Sequence, residues 1–271
     1  MAGSYNQTMG PLTKSRNSGA GEEAAAEPPR PTFLARVWSL LIVDPLIVLS
    51  TIVCSTVSVI FTFFDSKGRI PMAIARLWAR SLLFFAGARV TVEGLDKIDL
   101  DGSYVFTSNH ASYMDTPTVL SSIPVQFRFL AKRGLFQIPF LGTHLARAGH
   151  IPVPREDPRA AVKTLARAAE VIHQLKTSLL IFPEGGRTKD GKLREFKEGA
   201  AYIAIKAGVP IVPVALIGTR AVLPFNSGTF HPGRVRIRIG DPIPTTGLML
   251  RDRGVLTVSV REQVARMLQN V

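Results

Sequence analysis

Cysteine is almost missing from this 271-residue chain, and acidic residues are few. The single cysteine, Cys54, excludes an internal disulfide and lies within an apolar run. A thiol in such surroundings is a poor nucleophile, because burial disfavours the thiolate. We therefore expect neither a disulfide framework nor cysteine-based catalysis, and we expect a reducing compartment.

The shortage of acidic residues leaves a large positive charge. The chain has 33 Lys and Arg against 20 Asp and Glu, a formal net charge of +13. Such a balance indicates an anionic partner, which is a nucleic acid, an anionic membrane surface or a phosphorylated substrate. Hydrophobic residues make up 46% of the chain and no zinc-finger, RRM or basic-zipper pattern occurs, so we predict no nucleic-acid partner.

Charge is absent altogether from Leu46 to Phe64. This stretch is just long enough to cross a bilayer, and Asp44-Pro45 interrupts the apolar run near its start. A second segment, Ile70–Ala86, carries Arg76 and Arg80 among aromatic residues. That pattern is typical of a helix at the membrane interface, with its arginines toward the headgroups.

The membrane segments predict three parts of the chain: a disordered arm over 1–30, a membrane-associated helical hairpin over 31–88 and a further domain over 89–271. Basic residues flank the first apolar segment on both sides, so the positive-inside comparison gives no orientation. A hairpin dipping into one leaflet and a true span followed by an interfacial helix both fit, and we favour the hairpin. A third possibility is that both segments form helices buried in the protein core.

From residue 89 onward, short apolar runs alternate with helical patterns. Helices are expected after Asp157-Pro158, from Phe196 to Ala207 and from Val255 to Leu268. This alternation predicts an α/β domain with a central mixed sheet flanked by helices. VRIRI at 235–239 alternates strictly and predicts a half-buried strand at the edge of the sheet. The six runs expected as strands are Val90–Val92, Tyr104–Thr107, Phe127–Ala131, Leu179–Phe182, Ile211–Leu216 and Val235–Ile239.

Polar residues follow the second of these strands, in the stretch SNHASYMD at 108–115. His110 and Asp115 would diverge on a helix, so they can meet only if the segment between them is a turn. Thr116-Pro117 resembles an N-cap and a first helical residue, which predicts strand, turn and helix in that order. The plain alternative is a surface histidine and a helix-capping aspartate.

Two further loops carry polar groups that suit an anion. In IFPEGGRTKDG, paired glycines allow backbone N–H groups to approach a phosphate, and Arg187 supplies a guanidinium fork, although a simple hairpin turn would look similar. In GHIPVPRED, Arg155 follows a short extended piece held by two prolines. Functional groups of open α/β sheets lie on loops at the carboxyl ends of strands, as these three loops do.

In combination, these blocks resemble the 1-acylglycerol-3-phosphate acyltransferase family. His110 to Asp115, with Asn109, is similar to its NHxxxxD block, and Phe182 to Gly185 is similar to FPEG of its FPEGTR block. The resemblance covers roughly residues 75–245 and includes VPIVP at 209–213. Gly186 stands where the family usually has threonine, and Pro154 where an acidic residue is common.

The resemblance implies an enzyme that moves an acyl group from acyl-CoA or acyl carrier protein, as co-substrate, to the sn-2 hydroxyl of lysophosphatidic acid. It implies that the enzyme needs no cofactor. It also implies that the protein is associated with a membrane and has its active site on the cytoplasmic face, at the inner membrane if the source is bacterial. His110 and Asp115 would be catalytic, with His110 as general base. The residues implied in substrate binding are Lys132, Arg155, Glu184, Gly185, Gly186 and Arg187.

Alternatives within and outside this chemistry remain open. The acceptor could be another lysolipid or glycerol 3-phosphate, and the chain could be a membrane-bound lipid-binding protein without activity. The remaining histidines have no paired spacing such as HExxH, so we expect no metal site. They are His144, His150, His173 and His231.

Overall fold

Seven strands form one central sheet with helices on both faces, which confirms the predicted mixed α/β class. The structure is a computed structural model that describes residues 31–65, 68–154 and 158–269. The strands are β1 (Ala88–Glu93), β2 (Val105–Ser108), β3 (Phe127–Lys132), β4 (Ile151–Val153), β5 (Ser178–Ile181), β6 (Ile211–Ile217) and β7 (Gly233–Ile239). The α-helices of this described part are α1 (Phe33–Trp38), α2 (Asp44–Phe61), α3 (Arg69–Phe85), α4 (Asp115–Ser122), α5 (Leu141–Arg147), α6 (Pro158–Leu175), α7 (Gly199–Ala207), α8 (Thr219–Val222) and α9 (Arg253–Gln269).

The strand order is β1-β7-β6-β2-β5-β3-β4, and every pair is parallel except β6 with β7. The central strands β2 and β5 are buried along their whole length, which is why their sequences are short and almost continuously apolar. Because β2, β5 and β3 are parallel, the loops that leave their carboxyl ends meet at one edge of the sheet. That edge carries the predicted site.

Strand β7 alternates as expected but is not an edge strand. Val235, Ile237 and Ile239 are buried while the arginines between them are partly exposed. The edge prediction is wrong because β1 pairs with β7 in parallel, and Glu93 of β1 binds both Arg236 and Arg238.

Two layers of helices cover the two faces of the sheet. On one face, α3 and α4 pack against buried residues such as Phe106, Phe127 and Ile237. On the other face, α6, α7 and α9 pack against a second cluster that includes Leu179 and Ile211. Helix α3 thus contributes to the core of the sheet domain. The predicted division of the chain at residue 88 remains a prediction, and the predicted arm over 1–30 lies outside the described residues.

The apolar run continues as one helix through Asp44-Pro45, so the predicted interruption is wrong. Pro45 has no N–H and cannot close the ordinary helical bond at its position. A π-helical turn over Ser39–Val43 absorbs this mismatch, and its last bond runs from the Asp44 N–H to the Ser39 carbonyl. Proline therefore changes the winding of this helix without ending it.

The helix over residues 33–61 has its polar side inward. The buried residues of its length include Ser39, Ser55 and Ser58, while Leu49 and Val53 are half exposed. It is the one helix among the described residues that is long and apolar enough to cross a membrane, and only 11% of its most apolar window is buried. The reading of this segment as a buried core helix is therefore excluded.

The helix predicted over Ile70–Ala86 is present as α3. Arg76 does not point outward as it would toward lipid headgroups. The guanidinium of Arg76 turns toward the domain and donates hydrogen bonds to the carbonyls of Ile123, Pro124 and Val125, at 2.6–3.0 Å. These carbonyls belong to the segment that directly follows α4, outside its helical hydrogen bonding, and they therefore need partners from elsewhere. Arg80, one turn later, is exposed.

The remaining expected elements are present with shifted ends. Helix α7 starts at Gly199, three residues after the predicted Phe196, and ends at Gly208, whose φ of 62° is left-handed. Strand β4 was expected only as an extended piece, and it pairs with β3. Helices α6 and α9 lie where the sequence predicts them.

Candidate active site

Asn109 fixes the loop that leaves β2. Its side-chain oxygen accepts the Leu216 N–H at 2.8 Å, and its side-chain nitrogen donates to the Leu216 carbonyl at 2.9 Å. This pair of bonds imitates a strand–strand contact and ties the end of β2 to β6. The loop that follows therefore starts from a rigid position.

His110 and Asp115 lie together, as the sequence predicts. His110 Nδ1 lies 2.8 Å from Asp115 Oδ2, and the same oxygen accepts the N–H groups of Ala111 and Ser112 at 2.7 and 2.8 Å. Because a carboxylate oxygen accepts these bonds, His110 Nδ1 is the protonated ring nitrogen and Nε2 is left with a lone pair. Asp115 itself is completely buried.

Helix α4 begins at Asp115, two residues before the predicted first helical residue, Pro117. The N-cap is Met114, whose N–H is held by the Ser112 hydroxyl at 3.1 Å. Thr116 was expected as the cap, but the preceding turn closes on the Asp115 carboxylate instead. The helix consequently starts with an acidic residue, which suits the positive end of the helix dipole.

Phe182 and Glu184 hold His110 from the loop after β5. The imidazole stacks on the Phe182 ring with a centroid distance of 4.1 Å. Glu184 accepts the His110 N–H at 2.7 Å and the Arg194 N–H at 3.1 Å. Burial raises the pKa of Glu184, and the two backbone donors act in the opposite direction.

Glu184, which the resemblance implies in substrate binding, also has a role within the protein. Among the described residues its carboxylate accepts the backbone N–H groups of His110 and Arg194. A second bond joins the same two loops, from the Thr188 N–H to the His110 carbonyl at 3.0 Å. Glu184 therefore serves as a clamp between the two loops. Sequence spacing gave no signal for this contact.

Arg187 lies between two aromatic rings. Its guanidinium carbon is 3.3 Å from the centre of the Tyr113 ring and 4.8 Å from that of Phe225. Stacking on aromatic faces holds the planar guanidinium while leaving its N–H groups free at the edge. Gly185, two residues earlier, has a φ of 76°, which a side chain would strain.

A cavity of about 640 Å³ brings four of the predicted residues together, whereas Gly185 lines a smaller, separate pocket. Its lining includes His110, Gly186, Arg187 and Lys132, and its remaining walls are largely apolar. Two of the three predicted cations thus face the same space as the imidazole, whereas Arg155 lies outside the described residues. Within the described part, no three His, Cys, Asp or Glu side chains could hold a metal ion.

Two histidines without a predicted role, His144 and His150, line the same cavity. His144 Nδ1 pairs with the Ser58 hydroxyl at 2.7 Å, and His150 Nδ1 accepts the Phe129 N–H at 2.9 Å. Burial and the charge of Arg128 lower the pKa of His144 to about 4. Burial, followed by the charges of His144 and Arg128, lowers the pKa of His150 well below its usual value.

Comparison with known proteins relates this site to one family. The family model described as Acyltransferase matches residues 89–217. The chain is 40% identical over 172 residues to the chloroplastic 1-acyl-sn-glycerol-3-phosphate acyltransferase LPAT1 of Arabidopsis thaliana, which covers 63% of this chain and 48% of that protein. It is 29% identical over 200 residues to the alpha enzyme of that name from Bos taurus, covering 74% and 70%. The chain spans about half the length of the chloroplast relatives.

A solved structure extends the likeness to the whole fold. The crystal structure of the 1-acyl-sn-glycerophosphate acyltransferase PlsC from Thermotoga maritima matches 87% of this chain and 94% of its own chain, with a TM-score of 0.71 and 27% identity. The family model, the sequence relatives and this structure agree with the motif resemblance. Residues 89–217 match the Acyltransferase family model, and the chain is similar in sequence and in fold to 1-acyl-sn-glycerol-3-phosphate acyltransferases.

Proposed function

We propose that this protein transfers an acyl group from acyl-CoA or acyl carrier protein to the sn-2 hydroxyl of 1-acylglycerol 3-phosphate, giving phosphatidic acid. The observation that carries the proposal is the His110–Asp115 pair at 2.8 Å, at a cavity that Arg187 also lines. The names of the similar plant, animal and bacterial proteins support this substrate.

The imidazole supplies the base. His110 Nε2 takes the proton of the sn-2 hydroxyl while the hydroxyl oxygen attacks the thioester carbonyl carbon. Asp115 holds Nδ1–H and stabilises the imidazolium that forms, as in the His–Asp half of a serine-hydrolase triad. The C–S bond then breaks, and the departing thiolate receives the proton back from the imidazolium.

The lipid hydroxyl is the nucleophile, so no acyl-enzyme forms. The sequence has no GxSxG elbow, and its single cysteine, Cys54, lies in the apolar run of α2. Transfer in one displacement requires both substrates to be bound at the same time. The apolar walls of the cavity suit an acyl chain, and its cationic residues suit a phosphate.

The phosphate of the acceptor is bound by Arg187 with Lys132, and Arg155 is the third proposed contact. The guanidinium edge of Arg187 offers a fork to phosphate oxygens, while Tyr113 and Phe225 hold its plane. Gly185 and Gly186 allow the backbone of the loop to approach the headgroup. Glu184 contributes by keeping this loop against the loop of His110.

We further propose that the protein works on a membrane, with its active site on the cytoplasmic face. The outward apolar side of residues 33–61 supports this, because a lipid environment stabilises such a side and water does not. The net charge of +13 suits the anionic cytoplasmic leaflet. Both the acceptor and the product of the reaction reside in that bilayer.

The decisive test is the release of free thiol from acyl-CoA in the presence of 1-acylglycerol 3-phosphate. His110→Ala should lower the rate by about 10²- to 10⁴-fold. His173→Ala removes an exposed imidazole of α6 and is the matched control. Equal rates for the wild type and His110→Ala would refute the base assignment. Greater activity with another lysolipid or with glycerol 3-phosphate would change the acceptor, and no thiol release with any acceptor would indicate a lipid-binding protein.

A further inference from the structure

Three polar side chains outside the predicted site also line the cavity. They are Ser55 of α2 and the two histidines His144 and His150, and they lie among apolar residues such as Leu120 and Phe129. We refer to these three side chains as the polar group. His150 bonds to Phe129, and Phe129 precedes Lys132 by three positions on β3, about 10 Å along the strand.

His150 presents a hydrogen-bond donor to this space. Its Nδ1 accepts the Phe129 N–H, so the proton of the neutral ring resides on Nε2. The residue is only 8% exposed, and none of the described residues accepts a bond from Nε2. The lowered pKa of the ring is consistent with a neutral imidazole. Because His150 lines the cavity and its Nδ1 is occupied by the Phe129 N–H, its Nε2 donor is available to a molecule bound there.

Ser55 presents a second unpaired group. Its side chain is on the inward face of α2 and the residue is 6% exposed. Nothing in the described part of the chain pairs with its hydroxyl, although Ser58, one turn later, binds His144. A hydroxyl can both donate and accept, so Ser55 can pair with either half of a ligand hydroxyl, and His150 Nε2 can donate to a ligand oxygen.

We propose that this polar group binds a hydroxyl carried along an acyl chain, so that the enzyme prefers hydroxylated over plain chains. The inference rests on the proposed function, because it takes the cavity to hold an acyl chain. The walls suit a hydrocarbon chain and the unpaired groups suit a neutral oxygen at one point along it. The neutral imidazoles argue against a carboxylate at this position. The distance from Lys132 argues against the sn-1 ester of the acceptor, which is only a few bonds from the reacting hydroxyl.

The hydroxylated chain could belong to the thioester or to the lysolipid, and two arms distinguish these sources. In one arm, 10-hydroxystearoyl-CoA is compared with stearoyl-CoA on the same 1-stearoylglycerol 3-phosphate. In the other, the hydroxyl is on the acyl chain of the acceptor and the donor is stearoyl-CoA. We expect kcat/KM to be about 5- to 10-fold higher for the hydroxylated substrate in one arm. Equal values in both arms would overturn the inference.

Variants test whether these side chains carry the preference. His150→Asn places an amide oxygen near the former Nδ1, so it can still accept the Phe129 N–H, while the Nε2 donor is lost. Ser55→Ala is a second variant with a smaller risk to folding. Either should reduce the ratio of the two kcat/KM values toward one, whereas the matched control Thr56→Ala, on the exposed side of α2, should keep it. An unchanged ratio in both His150→Asn and Ser55→Ala would overturn the assignment.

A failure of the proposed function can be told apart from a failure of this inference. If no pair of substrates releases thiol, the transferase proposal fails. Dissociation constants of the hydroxylated and plain lysolipids, measured with the same protein in detergent micelles, then test the polar group alone. Tighter binding of the hydroxylated lysolipid that Ser55→Ala abolishes would support the site, and equal constants would refute it.

Discussion

At the level of single residues, the proposed role of Arg187 in binding the acceptor phosphate can be measured as a preference for phosphate-bearing acceptors. Its guanidinium stacks on Tyr113 and leaves its edge free for an anion. Arg187→Ala should raise KM for 1-acylglycerol 3-phosphate or lower kcat, by about 10- to 100-fold in kcat/KM, because a charge-assisted bond is lost. Steady-state rates with 1-acylglycerol, which has no phosphate, should change little.

Two further variants sharpen that test. Arg187→Lys keeps the charge but loses the planar fork and the stacking, so it should recover only part of the activity. Lys189→Ala removes an exposed charge from the same loop and controls for net charge. If Arg187→Ala affects the phosphate-bearing and phosphate-free acceptors equally, the phosphate role is wrong.

Motif spacing identified some residues of the site and missed others for a physical reason. His110, Asp115 and Arg187 are recognisable because their types and order suit the chemistry. The clamp at Glu184 depends on two loops from different strands meeting at 2.7 Å, and no local pattern encodes that distance. For the same reason, no role could be predicted for His144 and His150, since the cavity that they share exists only after folding.

At the level of elements, Arg76 connects α3 to the segment after α4, the helix that begins at Asp115. It binds three carbonyls after α4, whose first residue is Asp115. Arg76→Met should lower the free energy of unfolding by about 2–3 kcal/mol, because the carbonyls lose their donor. Urea unfolding in detergent micelles measures this change. Arg80→Met, on the exposed side of α3, should stay within about 0.5 kcal/mol of the wild type. Equal losses of stability in Arg76→Met and Arg80→Met would contradict the role of the Arg76 hydrogen bonds.

Periodicity predicted most elements, because burial alternates every second residue in a strand and every three to four in a helix. It could not predict partners. The alternation of VRIRI is the same in an edge strand and in one covered by β1, and only the parallel pairing with β1 decides between them. Likewise, Arg76 and Arg80 of α3 have similar sequence surroundings, and the tertiary position of the α4 end selects Arg76.

At the level of the whole molecule, the sheet domain and the helix over 33–61 bury residues of opposite polarity. The sheet domain buries apolar residues such as Phe106 and Ile203, as proteins in water do. The helix over 33–61 buries three serines and exposes most of its leucines and valines. The cavity meets both regions, since its walls include Ser55 of that helix and His110 of the sheet edge. On the proposed function, this cavity joins the lipid-facing helix to the base.

The buried histidines of that cavity should make the stability of the whole molecule depend on acid. His144 has a pKa of about 4 in the folded protein, against about 6.5 for an unperturbed histidine. Between these values the unfolded chain binds more protons, so the free energy of unfolding falls as the pH falls from about 6.5 to 4.

His144→Asn keeps a partner for Ser58 and removes this titration. The loss of stability across the same pH range should therefore be smaller in the variant, by on the order of 3 kcal/mol. Urea titrations at successive pH values in detergent micelles measure the difference. His173→Asn, outside the cavity on α6, is the matched control for the loss of an imidazole. An acid sensitivity equal in His144→Asn and the wild type would mean that the His144 imidazole is hydrated in the folded protein, and that the cavity is wetter than its apolar walls imply.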